Sequence, residues 1–298
     1  MTYHKYIVDN NYFFKGYPAV TVYKNSNALH ADLIILCQHG YGKEDFIKHF
    51  PSLYSPFKAN DSEYFSDFLE IEHDYGAEAV AFKISEILKD KLNVFVITVD
   101  CDRAIMDANR LESYCISPLV SRYFSEPVIN ELKELNFFIR EVIISIFKEK
   151  LDPEGYIIDI HTMWPFNINV NYKDCHTIKK FVQEYLSPLN KGEPRNINLI
   201  THSKDGVWIA DESLSTSVEQ ELGIKYTVKY NEPFCMLPVR SNYIYFSSYK
   251  GIAIDIPRNL IGISKSSIAD DFTYMKKDND SIISLSAALS KSVLNLFS

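Results

Sequence analysis

Tyr156-Ile-Ile-Asp-Ile-His-Thr-Met163 is a short apolar run that ends on polar, chemically competent side chains. It is too short for a helix and rich enough in aliphatic residues for a buried strand. Side chains alternate along a strand, so Asp159 and His161, at i and i+2, leave its end on one side. Similar runs recur outward from it, at Leu33 to Cys37, Val94 to Val99, Ile197 to Ile200, Tyr226 to Lys229 and Ile252 to Ile256. Helical patterns separate them. Ala77 to Leu88 places Val80, Ile84, Ile87 and Leu88 on one face, and Glu126 to Lys148 repeats apolar residues from Leu132 to Ile146. This alternation predicts a three-layer α/β fold, with a mostly parallel or mixed central sheet and helices on both faces. Sheets of that kind bind ligands beyond the carboxyl ends of their strands. Elsewhere, Tyr243 to Tyr249 reads as a hairpin arm, Leu189 to Arg195 as a polar turn, and Ser281 to Phe297 as a final amphipathic helix.

The 298 residues are within the range of one α/β unit, and a single domain over 1–298 is expected. Hydrophobic residues make up 46% and charged residues 23%, a balance that supplies a sizeable core. A net charge of −8 argues against nucleic acid, whose backbone is held by clustered Lys and Arg. No apolar run is long enough to span a membrane, and the first residues lack the apolar core of a signal peptide. The cysteines, Cys37, Cys101, Cys115, Cys175 and Cys235, are scattered without a C-x-x-C pair and read as reduced thiols. A cytoplasmic protein is the expectation. Oligomeric state has no signal.

The strand ends carry the candidate chemistry. Leu33-Ile-Ile-Leu-Cys-Gln-His-Gly40 presents His39 much as the run at Tyr156 presents His161. Two strand-terminal imidazoles and one carboxylate, with a fourth position open, are the usual donors of catalytic zinc. Asp74, in Asp74-Tyr-Gly-Ala-Glu-Ala79, and Glu44 are the alternative carboxylates, and Asp74 would otherwise serve as a helix N-cap. His73, beside Asp74, is a further candidate ligand, whereas His202 reads as structural. Asp159 is placed to orient a ring from behind. After the second run, Arg103, Asp107, Asn109 and Arg110 crowd one segment, where guanidinium groups pair bidentately with carboxylates and Asp107 is an internal partner for one of them. A structural Arg–Asp network is the bland alternative.

In order, these features resemble the N-formylglutamate amidohydrolase family, which is related to zinc carboxypeptidases and aspartoacylases. They are a strand ending in His39, an acidic segment with Asp74 and Glu78, the Arg103-x-x-x-Asp107-x-Asn109-Arg110 loop, and Asp159-Ile-His-Thr162. Glu221-Leu-Gly, Asn231-Glu-Pro-Phe234 and Gly251-Ile-Ala-Ile-Asp-Ile-Pro-Arg258 extend the resemblance over roughly residues 33 to 260. It implies a zinc-exopeptidase-like fold and one zinc ion on His39, His161 and Asp74, with Glu44 the alternative ligand. It further implies Arg103 polarising a scissile carbonyl, Asn109 and Arg110 holding a substrate carboxylate, and Asp255 serving as general base. The substrate implied is an N-acylated or peptide-linked acidic amino acid. One departure stands out: the family carries glutamate where this chain has Asp255, one methylene shorter, which leaves a non-catalytic carboxylate-binding protein as the rival reading.

Overall fold

A computed structural model describes residues 6–41, 43–169, 175–264 and 275–298; within them the side chains of 40, 41, 43–45 and 58–62 lie outside the description. The chain opens with a hairpin that its sequence pattern did not announce, β1 (Ile7–Phe14) and β2 (Tyr17–Lys24). Lys15 and Gly16 turn it with φ of 48° and 86°, the left-handed pair whose twist suits a two-residue loop. There follow β3 (Ala31–Tyr41), α1 (Lys43–His49), α2 (Ser55–Glu72), α3 (Ala77–Leu88), β4 (Val94–Asp100), α4 (Pro118–Ser121), α5 (Glu126–Lys150) and β5 (Leu151–Met163). Next come β6 (Phe166–Ile168), α6 (Ile178–Leu186), β7 (Lys191–Pro194), β8 (Ile197–Ile200), α7 (Glu212–Gly223) and β9 (Val228–Tyr230). The last elements are α8 (Ser241–Phe246), β10 (Gly251–Pro257), β11 (Gly262–Ser264), β12 (Met275–Lys277) and α9 (Asn279–Leu294).

Eight strands form a mixed sheet in the order β1-β2-β4-β3-β5-β10-β8-β9. Its centre, β4, β3, β5 and β10, is parallel. The flanks β2 and β8 run antiparallel to it. The step from β3 to β4 moves one way across the sheet, and the step from β4 to β5 passes back over β3. Right-handed crossovers therefore put the two sets of connecting helices on opposite faces. The packing agrees: α3 lies against β3, β4, β5 and α9, while α5 lies against β1, β2 and β5. Every residue of β4 and of β10 is buried, as strands covered on both faces must be. The three-layer expectation holds, and the parallel core brings the carboxyl ends of β3, β4, β5 and β10 to one edge. Among the described residues, no helix is long and apolar enough to cross a membrane.

Two local expectations are corrected. Tyr243 to Tyr249 begins within a short helix, α8, and continues as a turn rather than forming a hairpin arm. Tyr245 and Tyr249 both set their rings edge-on against Phe147, at 5.3 and 5.4 Å between centroids. A four-residue separation brings two side chains to one side of a helical turn. Lys191 to Arg195 is mostly a strand, since β7 pairs with β6. The closing helix forms as expected, as α9, and wedges between α3 and α7.

Candidate functional site

Strand register assembles the site. Leu36 of β3 pairs with Asp159 of β5, which brings Gln38 level with His161, and His161 in turn pairs with Asp255 of β10. His39, the residue after Gln38, stands at the same edge with its ring centroid 5.1 Å from that of His161. Asp74 arrives from the turn between α2 and α3, where its backbone N–H donates to the His39 carbonyl. The N-cap of α3 is Gly76, at φ 91°, so the Asp74 carboxylate does not cap the helix and is free to face the histidines.

The tautomers follow from the surrounding carboxylates. Nε2 of His161 is 2.9 Å from Asp159 Oδ2, which also accepts from Gln38 Nε2 at 2.9 Å. Nε2 of His39 is 2.8 Å from Asp107 Oδ1. With Nε2–H donated outward in both rings, both Nδ1 atoms would present lone pairs to an ion; without one, the His161 imidazolium also donates Nδ1–H to Asp74. Both Nδ1 atoms face Asp74 Oδ2, at 3.4 Å from His39 and 2.9 Å from His161. One ligand atom from each of His39, Asp74 and His161 lies within 4.8 Å of the others, all three residues being buried. Two imidazole nitrogens and a carboxylate oxygen, held from behind by further carboxylates, are a donor set that fits a small divalent cation such as zinc.

Charge is tightly paired here. Burial by itself would raise Asp74, but Arg103 and the two imidazoles hold its carboxyl well below the usual carboxylate range. Arg103 Nη1 lies 2.5 Å from Asp74 Oδ1. Asp107 is likewise held low, against burial, by His39, Arg103 and Arg110, and its Oδ2 accepts from Arg110 Nε at 2.9 Å. Burial opposes charge on His161, yet Asp159 and Asp74 outweigh it and push the imidazole well above the usual histidine range. Asp255 goes the other way. Burial raises its carboxyl despite the nearby His161, and among the described residues no hydrogen bond or ion pair holds it.

The loop after β4 is pinned at several points. Asp107 N–H donates to the Cys115 carbonyl, Ser241 N–H to the Asn109 carbonyl, and Asn242 N–H to Asn109 Oδ1 at 3.2 Å. Asn109 Nδ2 is left 3.4 Å from His161 Nε2. His39, Arg103, Asp107, Asn109, Arg110, His161 and Asp255 all line one cavity of about 780 Å³.

The candidates His39, Asp74, His161, Arg103, Asn109, Arg110 and Asp255 are thus brought together. Asp159 sits behind its ring as anticipated, and Asp107 serves both an imidazole and a guanidinium. The Glu44 side chain lies outside the described residues. His73 turns its ring towards Tyr75, at 6.1 Å between centroids. His202 accepts from Asn231 Nδ2 at 2.9 Å and packs its ring on Trp208 at 4.2 Å, a structural role. Sequence reading missed Arg240 and Arg258, which also line the cavity. Arg240 comes close through the bridge that pairs it with Arg110, a contact with no signal in the sequence. Arg258 is 2% exposed and donates Nη2 to the carbonyls of Glu70, Ile71 and His73. Its position three residues after Asp255 was the available hint.

No family model matches the sequence, and no curated protein matches it. Among solved structures, a gene product from Agrobacterium tumefaciens is similar with a TM-score of 0.58 and 16% identity, each chain covered over 94%. An N-formylglutamate amidohydrolase from Ralstonia eutropha is similar with a TM-score of 0.55 and 14% identity, covering 93% of this chain and 96% of that one. The chain therefore shares its fold with an N-formylglutamate amidohydrolase, the family that its motifs resemble.

Proposed function

We propose that this protein is a zinc-dependent amidohydrolase that cleaves the amide bond of an N-acylated or peptide-linked acidic amino acid. The observation that carries this reading is one cavity in which His39 and His161, joined by Asp74 behind them, meet an unpaired, buried Asp255 and the guanidinium groups of Arg103 and Arg110. His39, Asp74 and His161 would hold the ion, which when bound supplies Lewis acidity to a carbonyl and to a water molecule.

The chain's own residues carry the remaining steps. Asp107 occupies Arg110 Nε and leaves the two terminal nitrogens of that guanidinium for a bidentate substrate carboxylate. Asn109, fixed through its Oδ1, borders the same place. Arg103, kept charged by Asp74 and by Asp107, faces the cavity as a donor to the scissile carbonyl oxygen, where negative charge develops. Asp255 takes a proton from the attacking water and returns it to the amine as the carbon–nitrogen bond breaks. A carboxyl raised by burial suits both halves of that transfer.

The first experiment is metal analysis of purified wild type and His161→Ala, together with hydrolysis of N-acylglutamates. About one zinc per chain in wild type and none in the variant is expected. Asp255→Ala is expected to retain the metal and lose at least about a hundredfold in kcat. Arg110→Ala is expected to lower kcat/KM strongly. Wild type that binds metal and N-acylglutamates yet turns none of them over would replace the enzyme with the carboxylate-binding protein, a reading that the shorter arm of Asp255 favours.

A further inference from the structure

The cavity is much larger than an amino acid with a one-carbon acyl group requires, and its roughly 780 Å³ is in the range that encloses drug-sized ligands. Apolar and aromatic side chains line much of the excess, with Glu72, Arg195 and Arg258 among them. Phe68 and Ile71 come from α2, Leu119 from α4, Trp164 from just beyond β5, and Phe181 and Tyr185 from α6. Each is less than a tenth exposed. The rings form a continuous wall: Phe68 meets Phe181 edge-on at 5.5 Å, Phe181 stacks on Tyr185 at 5.6 Å, and Tyr185 meets Trp164 edge-on at 5.3 Å. Among the described residues the Tyr185 hydroxyl makes no hydrogen bond, and burial pushes it up to about 12, so it stays a neutral donor.

The wall and the carboxylate clamp line the same cavity as the two histidines. Asp107 ties Arg110 to His39. Ile71 closely precedes Asp74 in the chain, Trp164 closely follows His161, and Arg258 binds the last carbonyls of α2 while its guanidinium lies 5.8 Å from the Trp164 ring. In an N-acyl amino acid the carboxylate and the acyl chain leave the amide in opposite directions. A substrate clamped by Arg110 leaves its acyl chain to the rest of the cavity, where the wall supplies apolar surface.

Resting on the amidohydrolase reading above, we propose that the acyl half of the substrate is a bulky apolar group, aromatic or several methylenes long, seated against Phe68, Trp164, Phe181 and Tyr185. Transfer of each methylene out of water is worth about fourfold in binding, so a formyl group forgoes nearly all of this surface.

The test uses the metal-replete protein with N-formyl-, N-acetyl-, N-hexanoyl- and N-phenylacetylglutamate, reading kcat/KM by amine release and Kd by calorimetry. The two large acyl groups are expected to bind at least about tenfold more tightly than formyl. Leu119→Trp, which fills the annex, is expected to shrink that ratio by a similar factor. Formyl binding as tightly as the larger groups would overturn the acyl assignment, while turnover of the series would leave the hydrolase standing. Graded binding without turnover would keep the wall as the acyl site and remove the hydrolase. No binding by any member would overturn both.

Discussion

Asp159 is the residue that orients His161 from behind, because it accepts from Nε2 while Asp74 takes Nδ1. Asp159→Asn weakens that acceptor without changing side-chain size, and metal affinity is expected to fall by about 10- to 100-fold, measured by competition with a chromogenic chelator. The same contact has a signature in the metal-free protein. The folded-state pKa of His161 lies above its unfolded value. The stability this contributes is fully present below about pH 6.5 and is lost as pH rises through the raised folded value. Chelator-treated wild type should therefore melt progressively lower on the alkaline side of neutrality, and Asp159→Asn should flatten that slope. A wild-type melting temperature indifferent to pH over this range would contradict the pairing.

At the scale of elements, the turn between α2 and α3 delivers Asp74. It depends on Gly76, whose φ of 91° is in the left-handed region. A Cβ there would lie 2.8 Å from Cδ1 of Ile261. Gly76→Ala is expected to cost about 1–2 kcal/mol from the backbone alone, and to weaken metal binding because Asp74 moves with the turn. Asp211→Ala supplies the contrast. Asp211 caps α7 by accepting from Leu214 N–H at 2.8 Å, remote from the cavity. Its loss is expected to cost about 1 kcal/mol with metal affinity untouched. Denaturant unfolding with parallel metal titration distinguishes the two, and equal losses of affinity would remove the turn from its positioning role.

For the whole molecule, the three candidate ligands come from β3, the α2–α3 turn and β5, so an ion bound to them links separate stretches of chain across the centre of the sheet. Such an ion binds the folded chain and not the unfolded one. At free zinc about 100 times Kd, stabilisation of about 2.7 kcal/mol is expected. Calorimetric melts should show the midpoint rising with zinc in wild type and staying put in His161→Ala. A rise of equal size in both would place the ion elsewhere.

Short, uniformly apolar runs were enough to determine the central strands, because a strand covered on both faces has no polar face to confuse the pattern. The strand-end rule then singled out His39 and His161 and the segment around Arg103 to Arg110, whereas Asp255 stood out only through the family resemblance. Edges were less legible: β1 is mostly exposed, with mixed polarity, and α8 is too short for periodicity to distinguish a helical turn from an extended arm. Only the tertiary structure brings Asp74 beside the two imidazoles, since it arrives through a glycine turn whose direction no local pattern encodes. Only folding gave Asp107 its second partner and set Arg240 and the aromatic wall around the same cavity. Those contacts join residues far apart in sequence, and their geometry is fixed by strand register and helix packing rather than by the residues' neighbours in the chain.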